Sequence, residues 1–157
     1  IIEYMRSRTS QWFEIGVRFE KTYEDGTLKK VTEQHVIEAL SFTEAENRIT
    51  KVANEFISGE FTVKTEVEAP YKEIFFSDKT EDEYWYKVKL EFITIDEKTE
   101  REKRSTVIYL VQGANIHRAL SNIVEVMGTT ALDYEIVDIK KTKIVDVYEY
   151  KEKKKEE

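Results

Sequence analysis

Two tryptophans, Trp12 and Trp85, are the residues whose type and spacing most readily suggest a binding chemistry. Each opens a similar stretch, WFEIGVRFEKT or WYKVKLEFITI, and the two stretches begin 73 residues apart. Apolar and polar residues alternate in both, and each tryptophan stands with the polar set. This parity predicts that the indoles lie on the more polar face of a strand. Exposed rings there could stack on the bases of a single-stranded nucleic acid.

Basic side chains accompany the tryptophans and could contact phosphates. Some share the predicted face of an indole, and others belong to a charged hairpin in which acidic residues interrupt the basic ones. The net charge of −7 opposes the approach of a polyanion. A solvated hairpin, and indoles packed under a strand, a loop or a second copy, are the favoured alternatives. The candidate binding residues are Trp12, Arg18, Trp85, Lys87, Lys89, Lys103 and Arg104.

Residues for catalysis or metal binding are sparse. The chain has no cysteine, which excludes disulfides and thiolate ligands. Its two histidines, His35 and His117, lack any zinc-site spacing, so we interpret His35 as a core-edge residue and His117 as a surface residue at a helix start. The run Glu81-Asp82-Glu83 is better explained as a solvated linker than as a magnesium or calcium site. We predict no catalytic residue, no metal site and no cofactor.

Composition indicates a folded protein with a heavily charged surface. Of the 157 residues, 40% are hydrophobic and 36% are charged, and both halves of the chain are acidic. No apolar run is long enough to span a membrane, and no secretion signal opens the sequence as given. Together with the lack of cysteine, these features lead us to expect a cytoplasmic protein.

The elements that position these residues occur twice in the same order. Each tryptophan stretch reads as a half-buried strand. The first is followed by Asp25-Gly26, a type I′ hairpin signal, and the second by a charged loop around residues 96–104. A second strand then runs into a helix, with Ser41 or Asn115 as the predicted N-cap.

Each predicted helix has one apolar face and ends near a glycine, Gly59 or Gly128, which we expect in the left-handed conformation. Strand-rich stretches follow at residues 60–69 and 71–76, and again at 134–139 and 143–150. The apolar positions are Phe42, Ala45, Ile49, Val52, Ala53 and Phe56 in the first helix, and Ile116, Ala119, Leu120, Ile123, Val124 and Met127 in the second.

We therefore predict an α+β fold made by tandem duplication of a β-β-α-β(β) unit. The expected arrangement is a mainly antiparallel sheet with two helices packed on one face and a pseudo-twofold axis. Chance recurrence of a common α+β pattern is the alternative. The predicted segments are an N-terminal extension (1–10), a first unit (11–76), an acidic linker (77–83), a second unit (84–150) and a disordered charged tail (151–157).

Several phrases, including WFEIGVRFEKTYEDGTLKKVTE, ALSFTEAENRI, FISGEFTV, LEFITIDEKTE and LVQGA, resemble an uncharacterised domain family of Bacteroidetes and their phages. The resemblance spans residues 12–150 and implies an intracellular bacterial or phage setting. It supplies no active-site signature and no functional residues.

Taken together, the sequence favours a non-catalytic binding or adaptor protein of a phage or mobile element. Its partner would be a protein or a small anionic ligand, and a homodimer is compatible with the free strand edges. The alternatives are a single-stranded nucleic-acid-binding protein and an enzyme with an unrecognised site.

Overall fold

The computed structural model describes residues 4–128 and 130–150, in which the chain forms two helices and nine strands divided between two compact units. The helices are α1 (Phe42–Phe56) and α2 (Ile116–Met127). The strands are β1 (Met5–Arg8), β2 (Trp12–Thr22), β3 (Leu28–Glu38), β4 (Phe61–Glu68), β5 (Glu73–Ser77), β6 (Tyr84–Ile95), β7 (Glu102–Gly113), β8 (Asp133–Lys141) and β9 (Ile144–Tyr148).

The four-stranded unit combines residues 11–69 with the segment from residue 143 onward. Its sheet has the order β4-β2-β3-β9; β9 runs parallel to β3 and the other neighbours are antiparallel. Alternation in β2 and β3 directs one set of apolar side chains toward α1. The core residues buried there are Phe13, Ile15, Val17, Ile37, Ala39, Ala45, Ile49, Ala53 and Ile57.

The five-stranded unit combines the described residues up to Ser10 with those between Pro70 and Thr142. Its sheet has the order β1-β5-β7-β6-β8, and β5 runs parallel to β7. Helix α2 covers one face of this sheet. The buried core residues are Phe75, Tyr86, Val88, Leu90, Tyr109, Val111, Ala119, Ile123 and Met127.

The two sheets share details of register that strand order alone does not require. In the four-stranded unit β2 pairs with β4 through an irregularity at Gly16/Val17, and in the five-stranded unit β6 pairs with β8 through one at Lys89/Leu90. The parallel strands also correspond, because Val147 lies opposite Val36 just as Ile74 lies opposite Leu110. Each sheet thus contains a strand that lies far along the chain from its neighbour.

The predicted N-caps are confirmed. The Ser41 hydroxyl accepts a hydrogen bond from the Glu44 amide, and the Asn115 side chain accepts one from the Arg118 amide. The predicted C-terminal glycines are wrong in conformation: Gly128 is right-handed, and Gly26 is the glycine with positive φ in the described part of the chain. Gly26 belongs to a five-residue loop rather than a two-residue type I′ turn.

The α+β class is confirmed, but the arrangement differs from the prediction. Each of the two sheets carries its own helix, rather than one sheet carrying both, and each is mixed because it contains one parallel pair. The compact units are discontinuous in sequence, unlike the contiguous units predicted at 11–76 and 84–150. The predicted extension supplies β1, and the predicted tail, residues 151–157, lies outside the described residues.

Candidate functional site

A cleft of about 400 Å³ opens in the five-stranded unit where α2 ends above the sheet. A volume of this size falls within the range of small-molecule sites. Strands β1 and β5 form one side, the sheet face forms the floor, and the end of α2 forms the other side. The lining residues are Met5, Arg6, Ser7, Glu73, Phe75, Phe92, Tyr109, Glu125, Val126, Met127 and Thr130.

The floor of the cleft is aromatic. The rings of Phe75 and Tyr109 meet edge to face with centroids 5.4 Å apart, and both side chains are buried. Phe92 is half-buried and packs against the same core. Edge-to-face pairs hold each ring in a defined orientation. The cleft therefore has a preformed apolar surface.

The cleft is open because α2 is short. Helix α1 has 15 residues and α2 has 12, so α1 continues for almost one more turn. In the four-stranded unit the added turn brings the Phe56 ring to 5.5 Å from the His35 ring and 6.3 Å from the Phe19 ring. The residues that correspond to His35 and Phe56, at an offset of 74, are Tyr109 and Thr130. Thr130 has no ring to place over Tyr109.

Two carboxylates, Glu73 and Glu125, stand at the edge of the cleft. The Tyr4 hydroxyl oxygen lies 2.8 Å from Glu125 Oε2 and 3.0 Å from Asn122 Oδ1, and donation of its one proton to Glu125 orients that carboxylate. Burial raises the pKa of Tyr109, and the nearby Glu73 raises it further. The Tyr109 phenol is therefore protonated near neutral pH and can donate a hydrogen bond.

Arg6 contributes less positive charge to the cleft than its place in the lining suggests. It lies opposite Phe76 in the β1–β5 pair, and its guanidinium carbon is 4.1 Å from the centroid of the Phe76 ring. Side chains alternate between faces along a strand, so Phe76 is on the face opposite Phe75. The Arg6 charge is thus directed to the other side of the sheet.

A polar cluster holds the start of α2 in place. Asp82 is buried: its Oδ2 accepts from the Ser77 hydroxyl at 2.5 Å, and its Oδ1 accepts from the Ala114 amide at 2.9 Å. Arg118 Nε lies 3.8 Å from Asp82 Oδ1, and Asn122 donates to the Gln112 carbonyl at 2.9 Å. The prediction of a wholly solvated acidic linker at 77–83 is therefore wrong for Asp82.

Comparison with known protein families assigns the chain to one of them. A sequence profile described as a domain of unknown function, DUF4494, matches residues 11–150. The chain belongs to this family. No curated protein and no solved structure matches it. The resemblance to an uncharacterised domain family is confirmed to this extent, and its bacterial and phage setting stays a prediction.

The tryptophans of this DUF4494 domain do not form an exposed platform. Trp12 is 1% exposed and Trp85 is 2% exposed. Each lies on the sheet face opposite the helix, as the parity predicted, but that face is not solvated at these positions. The Trp85 ring meets the Phe76 ring edge to face at 5.4 Å. The partly exposed indoles required for base stacking are therefore absent, and the packed alternative fits the observed burial.

The predicted basic residues are divided between faces. In the five-stranded unit Lys87, Lys89 and Arg104 share the face of Trp85, because Arg104 lies opposite Ile93, whereas Lys103 lies opposite Thr94 and points to the other face. Lys103 and Arg104 belong to β7, not to a loop. In the four-stranded unit Arg18 shares the face of Trp12 and donates to the Thr32 hydroxyl at 3.4 Å.

Arg104 is already neutralised within the DUF4494 chain. Its guanidinium contacts Glu135 at 2.7 Å, Glu91 at 2.9 Å and Glu102 at 3.4 Å. These carboxylates, Glu135 first, hold the pKa of Arg104 above its ordinary value. Three acidic partners around one cation make Arg104 a poor contact for an external phosphate.

His35 is a core residue and His117 a surface residue, as expected from the sequence. Within the described residues no group of three or more histidine or acidic side chains is placed to hold a metal ion. Among the helices described, neither is long and apolar enough to cross a membrane.

Sequence reasoning missed the cleft residues of the DUF4494 domain, such as Glu73, Tyr109 and Glu125. A signal for them existed in the comparison of the two similar halves of the sequence. At the offset of 74, Gly59 of the first unit corresponds to position 133. The glycine of the second unit is Gly128, five residues earlier. This difference indicates a shorter second helix, and therefore an uncovered sheet face.

Proposed function

We propose that the chain is a non-catalytic binding protein that holds a small ligand in the cleft of the five-stranded unit. The observation that carries this proposal is a difference between His35 and Tyr109, which correspond at an offset of 74. The Phe56 ring packs beside His35, which is 1% exposed, whereas Tyr109 is 6% exposed and lies at the floor of a cleft. A preformed apolar floor with a few polar groups at its edge is typical of ligand sites.

The chemistry of the cleft favours binding over catalysis. The raised pKa of Tyr109 makes its phenol a poor base near neutral pH. Glu125 is engaged by the Tyr4 hydroxyl. These groups can orient a ligand by hydrogen bonds and charge without transferring a proton to it.

Two wider expectations from the sequence accompany this proposal. The quoted phrases support a cytoplasmic setting in a bacterium or its phage. The burial of Trp12 and Trp85 removes the observation on which single-stranded nucleic-acid binding rested. Binding of a small ligand is therefore the function we advance.

We also propose that the two units arose by tandem duplication. The matched irregularities beside β4 and β8 support this, since a bulge is a local feature that unrelated sheets rarely share at corresponding positions. The corresponding parallel registers of β9 on β3 and β5 on β7 add support. Duplication followed by divergence at the helix ends accounts for a ring over the sheet face in one unit and not in the other.

The test is a ligand-observed NMR screen of small aromatic fragments carrying positive, neutral or negative charge. Thr130→Phe supplies the ring that Phe56 supplies in the other unit, and we expect it to abolish the binding of fragments that the wild-type protein binds. Thr99→Phe places the same ring in the exposed β6–β7 loop and should leave binding unchanged.

Fragments that bind equally well to wild-type protein and to a folded Thr130→Phe variant would contradict the proposal. So would a screen in which no fragment shows contacts to the rings of Phe75 or Tyr109. Intermolecular NOEs to these two rings locate the ligand in the wild-type protein, so the test does not depend on the variant alone.

A further inference from the structure

The cleft combines aromatic rings with negative charge. Phe75, Phe92 and Tyr109 line the same space that Glu73 and Glu125 border; the Phe92 ring is half-buried, and Phe75 and Tyr109 are each 6% exposed. An aromatic face attracts a cation through its quadrupole, and the attraction grows when the cation is partly desolvated. The rings and the carboxylates therefore both favour a positively charged ligand.

The two carboxylates are not held in ion pairs by the described part of the chain. In the described part of the chain neither Glu73 nor Glu125 has a basic side chain within ion-pair distance. Glu125 accepts a hydrogen bond from the neutral Tyr4, which fixes its position. Lys79 and Arg118 lie at the Tyr4 ring, 3.9 Å and 5.2 Å from its centroid, and neither forms an ion pair with Glu125. The Arg6 guanidinium is stacked on Phe76, on the other face of the sheet.

We infer that the cleft binds an organic cation, an ammonium group carried on an apolar or aromatic body. This inference rests on the proposed function and adds the chemical class of the ligand. The rings contact the body and the alkylated nitrogen, while Glu73 and Glu125 neutralise the charge.

Other charge classes fit the cleft less well. A small anion, the class expected from the sequence, would meet two carboxylates and no opposing cation on the aromatic floor. A hydrated metal ion would gain little from aromatic walls, because hard cations exchange water for oxygen ligands. A methylated lysine side chain of a partner protein carries the same chemistry as a small amine, so both sources belong in the test.

The experiment titrates the full chain with benzyltrimethylammonium, benzyl alcohol and benzoate at low ionic strength, followed by NMR shifts and NOEs. We expect the cation to bind most tightly, with contacts to Tyr109 and Phe75, and benzoate to bind least. Glu73→Gln and Glu125→Gln should each weaken cation binding roughly threefold, in line with a partly exposed charge pair. Glu97→Gln, in the exposed β6–β7 loop, makes the same change in net charge and should have no effect.

The outcomes separate the ligand class from the function. Equal binding of all three probes in the cleft, lost in Thr130→Phe, would keep the proposed function and overturn the cation inference. Cation binding that survives the Glu73→Gln/Glu125→Gln double variant, or that shows no contact to the cleft rings, would also overturn it. A trimethyl-lysine peptide that binds more tightly than benzyltrimethylammonium would identify a protein side chain as the source of the cation.

Discussion

The ends of the two helices show how corresponding regions of one chain come to differ. In the four-stranded unit α1 runs to Phe56, whose ring packs beside His35 and Phe19. In the five-stranded unit α2 stops at Met127, and the sheet beyond it is left as a cleft over Tyr109. Three helical residues, about 4.5 Å of rise, decide whether a ring from the helix end packs over this part of the sheet face.

The contrast also shows which features each unit needs for its fold. Both retain a capped helix, a buried apolar stripe and a parallel strand at corresponding register. The ring that covers the sheet is present in only one of them. A closed site adds packing, and an open site leaves apolar surface that a ligand can bury.

The largest effect on stability is expected at the junction between β7 and α2. Gly113 stands there, and the corresponding residue before α1 is Ala39, which has one methyl group more. Gly113 ends β7, and a Cβ built on it would lie 2.8 Å from the Ala119 amide nitrogen and 2.9 Å from the Ala119 Cα. Gly113→Ala should therefore force α2 away from the sheet and lower the free energy of unfolding by about 3 kcal/mol. Chemical denaturation in a Trp12→Phe background, with Trp85 as the reporter of the five-stranded unit, measures it.

The matched control is Ala39→Gly, at the corresponding position of the four-stranded unit. Ala39 is buried there, so its methyl group is accommodated. We expect a loss of only about 1 kcal/mol, from backbone entropy and a missing methyl contact. If Gly113→Ala lowered the free energy of unfolding by no more than Ala39→Gly does, the close approach of α2 would not be what restricts position 113 to glycine.

The next prediction converts the filled site into an open one. Phe56→Ala removes the ring that packs on His35 and Phe19, and we expect the free energy of unfolding to fall by about 2 kcal/mol. This is less than for a fully buried phenylalanine, because Phe56 is 44% exposed. Thermal unfolding and the exposure of His35 by histidine NMR check it. An unchanged His35 environment would show that other groups cover this histidine.

Much of the fold could be predicted from local patterns. Alternation located β2 and β6, the side-chain oxygens of Ser41 and Asn115 located the helix starts, and the two similar tryptophan stretches indicated that the elements recur in order. The division into units could not be read in the same way. Parallel pairing of β5 with β7 joins segments that are far apart in sequence, and periodicity carries no information about such partners.

The third prediction concerns the pH dependence of stability, to which we expect His35 to contribute and Tyr109 not to contribute. Burial lowers the pKa of His35 below its ordinary value of 6.5, although Glu33 and Asp146 act in the opposite direction. Below pH 6.5 the unfolded chain takes up a proton that the folded chain resists, so stability falls as pH decreases. The slope contributed by one such group is at most about 1.4 kcal/mol per pH unit.

Thermal unfolding between pH 7 and pH 5 measures this effect. His35→Leu should flatten the dependence in that interval, and His117→Asn, at an exposed position, should not. Tyr109 does not titrate in this range, because the ordinary pKa of tyrosine, 10.0, is already far above it and burial raises the pKa of Tyr109 further. We therefore expect the part of the pH dependence that His35→Leu removes to belong to the four-stranded unit. If the slope of stability against pH were unchanged in His35→Leu, the pH dependence would come from the acidic groups instead.

The candidate site was missed in the sequence for a related reason. Tyr109, Phe75 and Phe92 each read as ordinary core residues, and the lack of a ring at Thr130 leaves them lining a cleft. Trp12 and Trp85 gave the opposite error, since parity placed them on a polar face that the fold buries. Period-2 alternation identifies the face of a strand but not what covers that face.

The smallest effect is expected on the outer faces of the helices. Leu120 lies between Ile116 and Val124 in an exposed apolar row on α2, and the residue that corresponds to it on α1 is Glu46. Leu120 is 40% exposed, so Leu120→Glu should change the free energy of unfolding by less than about 0.5 kcal/mol. The neighbouring Ile123→Ala, which removes a fully buried side chain, should cost several-fold more. A large loss in Leu120→Glu would mean that this row is covered in solution, and that α2, unlike α1, packs on both of its sides.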